Sequence, residues 1–303
     1  MEIAVVGSYG VGLTMFSPRM PEAGETISGG RFFSSHGGKG SNQAVGAARL
    51  GASVTLLTAV GADGHGDAGR RLWADEGIDA SAVKVVDDPT MVGVILVDGA
   101  GQNRIIIAQG ALDSLSVTDV EAFRPQLAAA DVVMVSLEIP LATALAALRI
   151  ASEEGATTLL NPAPAIPLPA ETWQFVNLLT PNATEGPVIL GDAALPVDPA
   201  ELAAVLHQRT GADVVLTLGE GGAVICDRAG TLHVPAARAA KVVDTTGAGD
   251  AFNAALAVGI ARGLSLSDSV VAATIAGAHT VARPGVVEAL PRLADLRAAG
   301  LAW

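Results

Sequence analysis

Four residues, Gly247-Ala248-Gly249-Asp250, carry the first hint of chemistry. Small residues at 247–249 let a ligand approach bare backbone. A helix starting there aims its free N–H groups and positive dipole end back at the turn, which makes an anion site. A carboxylate beside an anion makes sense if it handles a proton. The stretch therefore reads as group transfer to a hydroxyl, with Gly247, Ala248 and Gly249 holding developing charge and Asp250 as base. The plainer reading is a glycine-rich helix cap carrying a surface aspartate.

Further clusters supply what such a transfer would need. Gly37-Gly38-Lys39-Gly40-Ser41-Asn42 brings bare backbone, an ammonium and an amide together ahead of a helix, which suits a polyhydroxyl ligand. It is not a Walker A loop, because Phe33 and Gly40 stand where that motif needs Gly and Ser/Thr. Asn182 and Glu185 lie three apart after an apolar run and would share one side of a helix start. An amide and a carboxylate there suit a hydrated Mg²⁺ with phosphate oxygens, although an ordinary N-cap explains them equally simply. Thr217-Leu218-Gly219-Glu220-Gly221-Gly222 closes another apolar run, where a nucleotide would lie against Thr217, Gly219 and Gly222, or where a hairpin merely turns. Glu138, on a loop after 132–136, would accept a substrate hydroxyl or simply face solvent. Together these form an inventory for phosphoryl transfer, which relies on positioning and charge stabilisation more than on covalent chemistry.

The elements that must position these groups alternate. Strands are expected at 2–7, 53–58, 83–86, 132–136, 157–160, 176–180 and 213–218, with a pair at 222–226 and 231–234. Helices are expected at 42–50 with Gly51 as its stop, 66–76, 117–129, from Pro140 onward, 199–209, 250–262 and 266–282. The last opens on Ser265 and Asp268 at capping-box spacing. This βαβα order predicts a three-layer α/β/α domain with a mostly parallel sheet. Segments 13–36 and 90–109, the latter a hairpin of 91–97 and 103–108, are extended and break the alternation. They are expected to form a small β lid, leaving 1–12, 37–89 and 110–303 as the main domain. Gly7-Ser8-Tyr9-Gly10-Val11-Gly12 has the wrong spacing for a dinucleotide fingerprint, and Pro18 and Pro21 forbid the helix that should follow.

Bulk properties narrow the partners. A net charge of −13 over 303 residues argues against nucleic acid or an anionic membrane, so a phosphorylated ligand needs local donors. Cys226 is the single cysteine, which excludes an intramolecular disulfide and fits a reducing cytoplasm. The start Met1-Glu2-Ile3-Ala4-Val5-Val6 reads as a core strand and not as a signal peptide.

With these motifs in place the chain resembles the ribokinase family, the PfkB-type carbohydrate kinases, over essentially its whole length. The N-terminal motif is matched by Gly37-Gly38-Lys39-Gly40-Ser41-Asn42-Gln43-Ala44 with Gly51 and Gly61, and the C-terminal one by Asp244-Thr245-Thr246-Gly247-Ala248-Gly249-Asp250. The resemblance implies Asp250 as catalytic base and 247–249 as anion hole. It implies Gly38, Lys39, Asn42 and Glu138 at the sugar, and Asn182, Glu185, Thr217, Gly219, Gly222 and Gly249 around Mg²⁺ and ATP. It further implies a K⁺ site at Asp244 and Thr246 with backbone at Thr280, Arg283 and Gly285, and a homodimer through the lid. One departure stands out. The family's Gly-Ser-x-Asn-x-Asp pattern, whose Asn and Asp hold sugar hydroxyls, is here Gly7-Ser8-Tyr9-Gly10-Val11-Gly12. Charged hydrogen bonds are worth roughly 1.5–3 kcal/mol each, so ribose should bind less well. The volume freed at Gly10 and Gly12, with Tyr9 beside it, is expected to admit a different acceptor. The implied activity is ATP-dependent phosphorylation of a primary hydroxyl on a sugar or sugar-like molecule; a nucleoside kinase of the same fold and a non-catalytic sugar-binding regulator are the alternatives.

Overall fold

Ile3 to Val6 are all buried, as a strand between two helical layers must be. A computed structural model describes residues 1–301 and 303 and shows how the other runs assemble around it. The strands are β1 (Glu2–Val6), β2 (Gly10–Phe16), β3 (Arg31–Gly37), β4 (Ser53–Leu57), β5 (Ala59–Gly61), β6 (Lys84–Val86) and β7 (Met91–Val97). They continue with β8 (Asn103–Ala108), β9 (Val132–Ser136), β10 (Thr157–Asn161), β11 (Leu178–Leu179), β12 (Asp213–Thr217), β13 (Ala223–Asp227) and β14 (Gly230–Val234). The helices are α1 (Lys39–Arg49), α2 (Gly64–Asp75), α3 (Val117–Ala122), α4 (Arg124–Ala129) and α5 (Leu141–Glu153). Then follow α6 (Glu185–Ile189), α7 (Pro199–Thr210), α8 (Ala248–Ala261), α9 (Leu266–Val281) and α10 (Leu293–Ala298).

Eight strands form the main sheet in the order β14-β13-β12-β11-β10-β9-β1-β4. Its pairs from β4 to β12 are parallel, and β13 and β14 add an antiparallel edge. Alternate residues divide between two cores. Ala4, Val6, Val133 and Val135 pack with apolar residues of α3, α5 and α7. Ile3, Val5, Val132 and Met134 pack with those of α1, α8 and α9 on the other face. The chain leaves β1 toward β4 on one side and returns through β9 on the other. That reversal makes the crevice above β1 and β9 the place where an open α/β sheet collects its ligand.

The second sheet, β3-β2-β7-β8, is built from the two expected insertions. It begins earlier than the sequence suggested, because β2 already pairs with β7 at Gly10↔Met91 and Gly12↔Gly93. Residues 17–30 hold no strand, so the extended segment expected over 13–36 divides into the end of β2 and β3. The single helix expected at 117–129 is two, parted at Phe123, since Pro125 has no N–H to continue the first and sits at the start of the second. Strand β5, unanticipated, pairs with β6. Among the described residues no helix is long and apolar enough to cross a membrane.

Candidate active site

Helix α8 opens on Gly247, whose φ of +78° suits a residue without a Cβ. Its first-turn N–H groups lack partners within the helix. Two of its residues, Ala248 and Gly249, line a cleft of about 750 Å³ that also takes in Thr217, Gly219, Gly222 and Thr245. The residues expected at the nucleotide are thus gathered along one wall, and a Cβ on Gly249 would meet no atom within 4 Å. Asn182 is brought alongside by a bridge to Thr217 and by Thr217 donating its N–H to the Pro181 carbonyl at 2.9 Å. Sequence reasoning missed the opposite wall: Ala236 to Ala239 of the β14–α8 connection, with Gly277 and Val281 of α9. Among the described residues Arg238 there is the one cationic side chain lining the cleft. That connection has neither strand nor helix periodicity to mark it.

Asp250, in the first turn of α8, is 7% exposed. Its carboxylate accepts from Asn42 Nδ2 at 2.8 Å through Oδ2 and from Gln43 Nε2 at 3.1 Å through Oδ1. Burial pushes its pKa above the ordinary carboxylate range. The Lys39 ammonium and the two amides pull the other way, and the Glu138 charge adds to the rise. Lys39 also tempers Glu185, so this one cation acts on both carboxylates.

The acceptor side is assembled where β1 and β9 end. Glu138 Oε2 accepts from Ser8 Oγ and from the Lys39 N–H at 2.9 Å, leaving Oε1 available. Gly38 joins this to α1: its φ is +90°, and a Cβ would lie 2.6 Å from Tyr9 Cα. Lys39, Asn42, Glu138 and Asp250 are therefore brought together, as their order in the sequence could not reveal.

Two expectations are corrected. Tyr9 is fully buried, its hydroxyl 2.9 Å from His36 Nδ1 and donating to the His65 carbonyl at 3.2 Å, with its ring edge-on to Trp73. It is a core residue and cannot touch an acceptor. Nor is there freed volume at Gly10. A Cβ there would lie 2.4 Å from Met91 Cε and 2.7 Å from the Met91 carbonyl oxygen, so β7 occupies the space. Gly12 is less confined, with Ser35 Oγ at 3.2 Å and Ile95 Cδ1 at 3.6 Å from its ideal Cβ.

The cation sites differ in how well they fit. Asn182 Oδ1 accepts from the Thr184 N–H, the Thr184 hydroxyl and the Glu185 N–H at 2.8–2.9 Å, so its oxygen is committed to capping α6. Glu185 answers from the other side, its Oε2 accepting from the Asn182 N–H at 2.8 Å. With Oε2 engaged, Oε1 fits a hydrated Mg²⁺; Asn182 as a direct metal ligand does not fit. Burial raises the Glu185 pKa, against the Asn182 N–H and Lys39. Asp244, Thr246 and Gly285 do converge: Thr246 donates N–H and hydroxyl to Asp244 Oδ1 at 2.9 and 2.7 Å, and the Gly285 N–H reaches Oδ2 at 3.4 Å. The Thr280 carbonyl accepts from the Arg283 N–H at 3.1 Å, and Arg283 Nη1 donates to the His279 carbonyl. Among the described residues no group of three or more His, Cys, Asp or Glu is arranged to hold a metal.

Known proteins resemble this chain over nearly its whole length. The profile of the pfkB family carbohydrate kinases matches residues 2–293. The ribokinase of Haemophilus influenzae is 32% identical over 95% of both chains, and that of Mus musculus is 36% identical over 97% of this chain and 93% of its own. A deoxyribokinase of Salmonella typhi is 36% identical over 83% of each. The crystal structure of Thermotoga maritima ribokinase superposes with a TM-score of 0.89 at 30% identity, covering 98% of both chains. Arabidopsis thaliana ribokinase, solved with ribose and ATP, gives 0.90 at 28% identity over 100% and 99%. A match that runs through both glycine motifs and nearly the whole length makes this chain a member of the pfkB family of carbohydrate kinases.

Proposed function

We propose that the protein is an ATP-dependent kinase that transfers the γ-phosphoryl group to a primary hydroxyl of a sugar or sugar-like acceptor. One observation carries the reading. Asp250 is a buried, amide-held carboxylate at the open end of α8, placed between the cleft that would take ATP and the Lys39–Glu138 side that would take the acceptor. Asp250 would draw the proton from the attacking hydroxyl, while N–H groups at 247–249 hold the charge developing on the phosphoryl oxygens. Mg²⁺, reached through Glu185, would supply charge neutralisation on the nucleotide phosphates. A monovalent cation at Asp244, Thr246 and Gly285 would brace the turn beneath the anion hole. The lid would exclude water, the competing acceptor, and would pair with the lid of a second copy. A single cysteine, which leaves no intramolecular disulfide, supports a reducing, cytoplasmic setting.

The test measures ADP release over pentoses, ketoses, hexoses and nucleosides. Turnover with a sugar other than ribose is expected to be fastest, because neither Gly10 nor Gly12 brings a hydroxyl-binding side chain. Fastest turnover on ribose would overturn that argument, and sugar binding without any turnover would favour a regulatory protein. Asp250→Asn should lose turnover while still binding ATP; a variant keeping more than a tenth of the rate would remove Asp250 as base.

A further inference from the structure

Asp250 does not stand alone in its burial. Gln43, fully buried, donates through Nε2 both to Asp250 Oδ1 at 3.1 Å and to Asn161 Oδ1 at 3.1 Å. Asn161 at the end of β10 donates Nδ2 to the Thr180 carbonyl at 3.2 Å. The Thr180 hydroxyl donates to Asn253 Oδ1 at 2.6 Å, and Asn253 Nδ2 donates to the Gly249 carbonyl at 2.9 Å. Since Gly249 is bonded to Asp250, the path closes on itself. Four buried polar side chains from α1, β10, the end of β11 and α8 thus form one ring through the base and the peptide of the anion hole.

The ring dictates what may stand at position 43. Its side chain must give two protons to two oxygens that both only accept. A neutral group with two N–H donors on one atom is a primary amide. Turning the Gln43 amide over would set Oε1 against both oxygens, so the orientation follows from the partners. The Gln43 carbonyl Oε1 finds no partner, so the side chain is tied into the ring through its donors alone.

We infer that Gln43 is a positioning residue for phosphoryl transfer: it fixes the plane of the Asp250 carboxylate and, through Asn161, Thr180 and Asn253, locks that plane to the Gly249 peptide of the anion hole. The hydroxyl to be deprotonated and the charge to be stabilised are thereby referenced to one rigid frame, where small displacements are costly in rate. This rests on the assignment of Asp250 as base, and its test separates the two.

Gln43→Leu keeps volume and removes the donors. Relative to wild type, kcat should fall by about tenfold or more, with KM for ATP within about twofold. The acid limb of kcat/KM should move to higher pH by about one unit, since an ionised carboxylate loses a hydrogen bond. Lys39 and Glu138, the charged groups facing Asp250, remain unchanged in this variant and so do not contribute to the shift. Asn161→Ala breaks the ring but leaves both amides on Asp250, and should lower kcat with the acid limb in place. A folded Gln43→Leu protein, judged by retained ATP-induced thermal stabilisation, with wild-type kcat and acid limb would overturn the inference. If that variant does not fold, wild-type kcat in Asn161→Ala would overturn it instead. Failure of the base assignment shows separately, as activity in Asp250→Asn whatever the Gln43 result.

Discussion

As the proposed base, Asp250 would set both rate and stability against pH. A base must be deprotonated, and burial raises its pKa above the usual range. The rate should therefore climb with pH through a limb displaced upward from that of an exposed aspartate, as a kcat/KM profile would show. Stability runs oppositely. With the folded pKa above the unfolded one, the contribution of Asp250 is fully present below the unfolded value and lost as pH rises through the folded value. The melting temperature of wild type relative to Asp250→Asn should accordingly fall between acid and neutral pH; a difference independent of pH would deny the shift. The place of Asp250 at the head of α8 was legible because its glycines adjoin it in sequence. Its pairing with Gln43 was not, because that residue, although inside the N-terminal glycine motif, lies 207 positions away and nothing in the sequence ties the two together. Tyr9 was misread for a related reason: its neighbours suggested a ligand loop, whereas side-chain alternation at the start of β2 turns it inward. Tyr9→Phe should leave the acceptor KM unchanged and cost about 1–2 kcal/mol in denaturant unfolding, the hydroxyl's two contacts being lost from the interior. A rise in acceptor KM without loss of stability would return Tyr9 to the site.

At the scale of elements, the strands of the proposed lid would act on which acceptor is admitted. Parallel pairing of β2 with β7 sets Gly10 beside Met91 and Gly12 beside Gly93. Gly10→Asn would force its side chain into the Met91 thioether and carbonyl, a form of overpacking that typically costs about 1–3 kcal/mol. It should lower stability without improving ribose turnover. Gly12→Asp meets chiefly the movable Ser35 hydroxyl, so it should fold and raise kcat/KM for ribose relative to wild type. Equal kcat/KM for ribose in Gly12→Asp and wild type would show that Gly12 does not face the acceptor. The strands and caps themselves were largely legible: Gly51 ends α1 with a φ of +95°, and Ser265 Oγ accepts from the Asp268 N–H to open α9. What escaped was contact between elements. That Met91 fills the space over Gly10 depends on strand register, and register is settled by the assembled sheet and not by either strand alone.

For the whole molecule, the unresolved balance lies on the lid. Its main-domain counterpart buries apolar residues on both faces of the sheet, but β8 is exposed along its entire length. Ile105, Ile106 and Ile107 are 53%, 73% and 54% exposed, and Phe32 and Phe33 of the opposite edge strand exceed half. Three consecutive isoleucines on an open edge present apolar surface on both faces and unpaired backbone between them, a template for another strand. A chain with a net charge of −13 repels its own copies at long range, so a close contact must come from such local apolar surface. A second copy offering the same patch is self-complementary about a two-fold axis and closes without leaving a free edge to propagate. Wild-type protein should sediment at twice its 30.3 kDa mass at micromolar concentration. Ile106→Lys places a charge in the middle of that patch while its backbone pairing with β7 continues, so the variant should sediment as a folded monomer. Because the lid would then close without its partner, acceptor KM should rise more than KM for ATP. A wild-type monomer, or an Ile106→Lys dimer, would mean that the isoleucine edge serves some purpose other than pairing the lids.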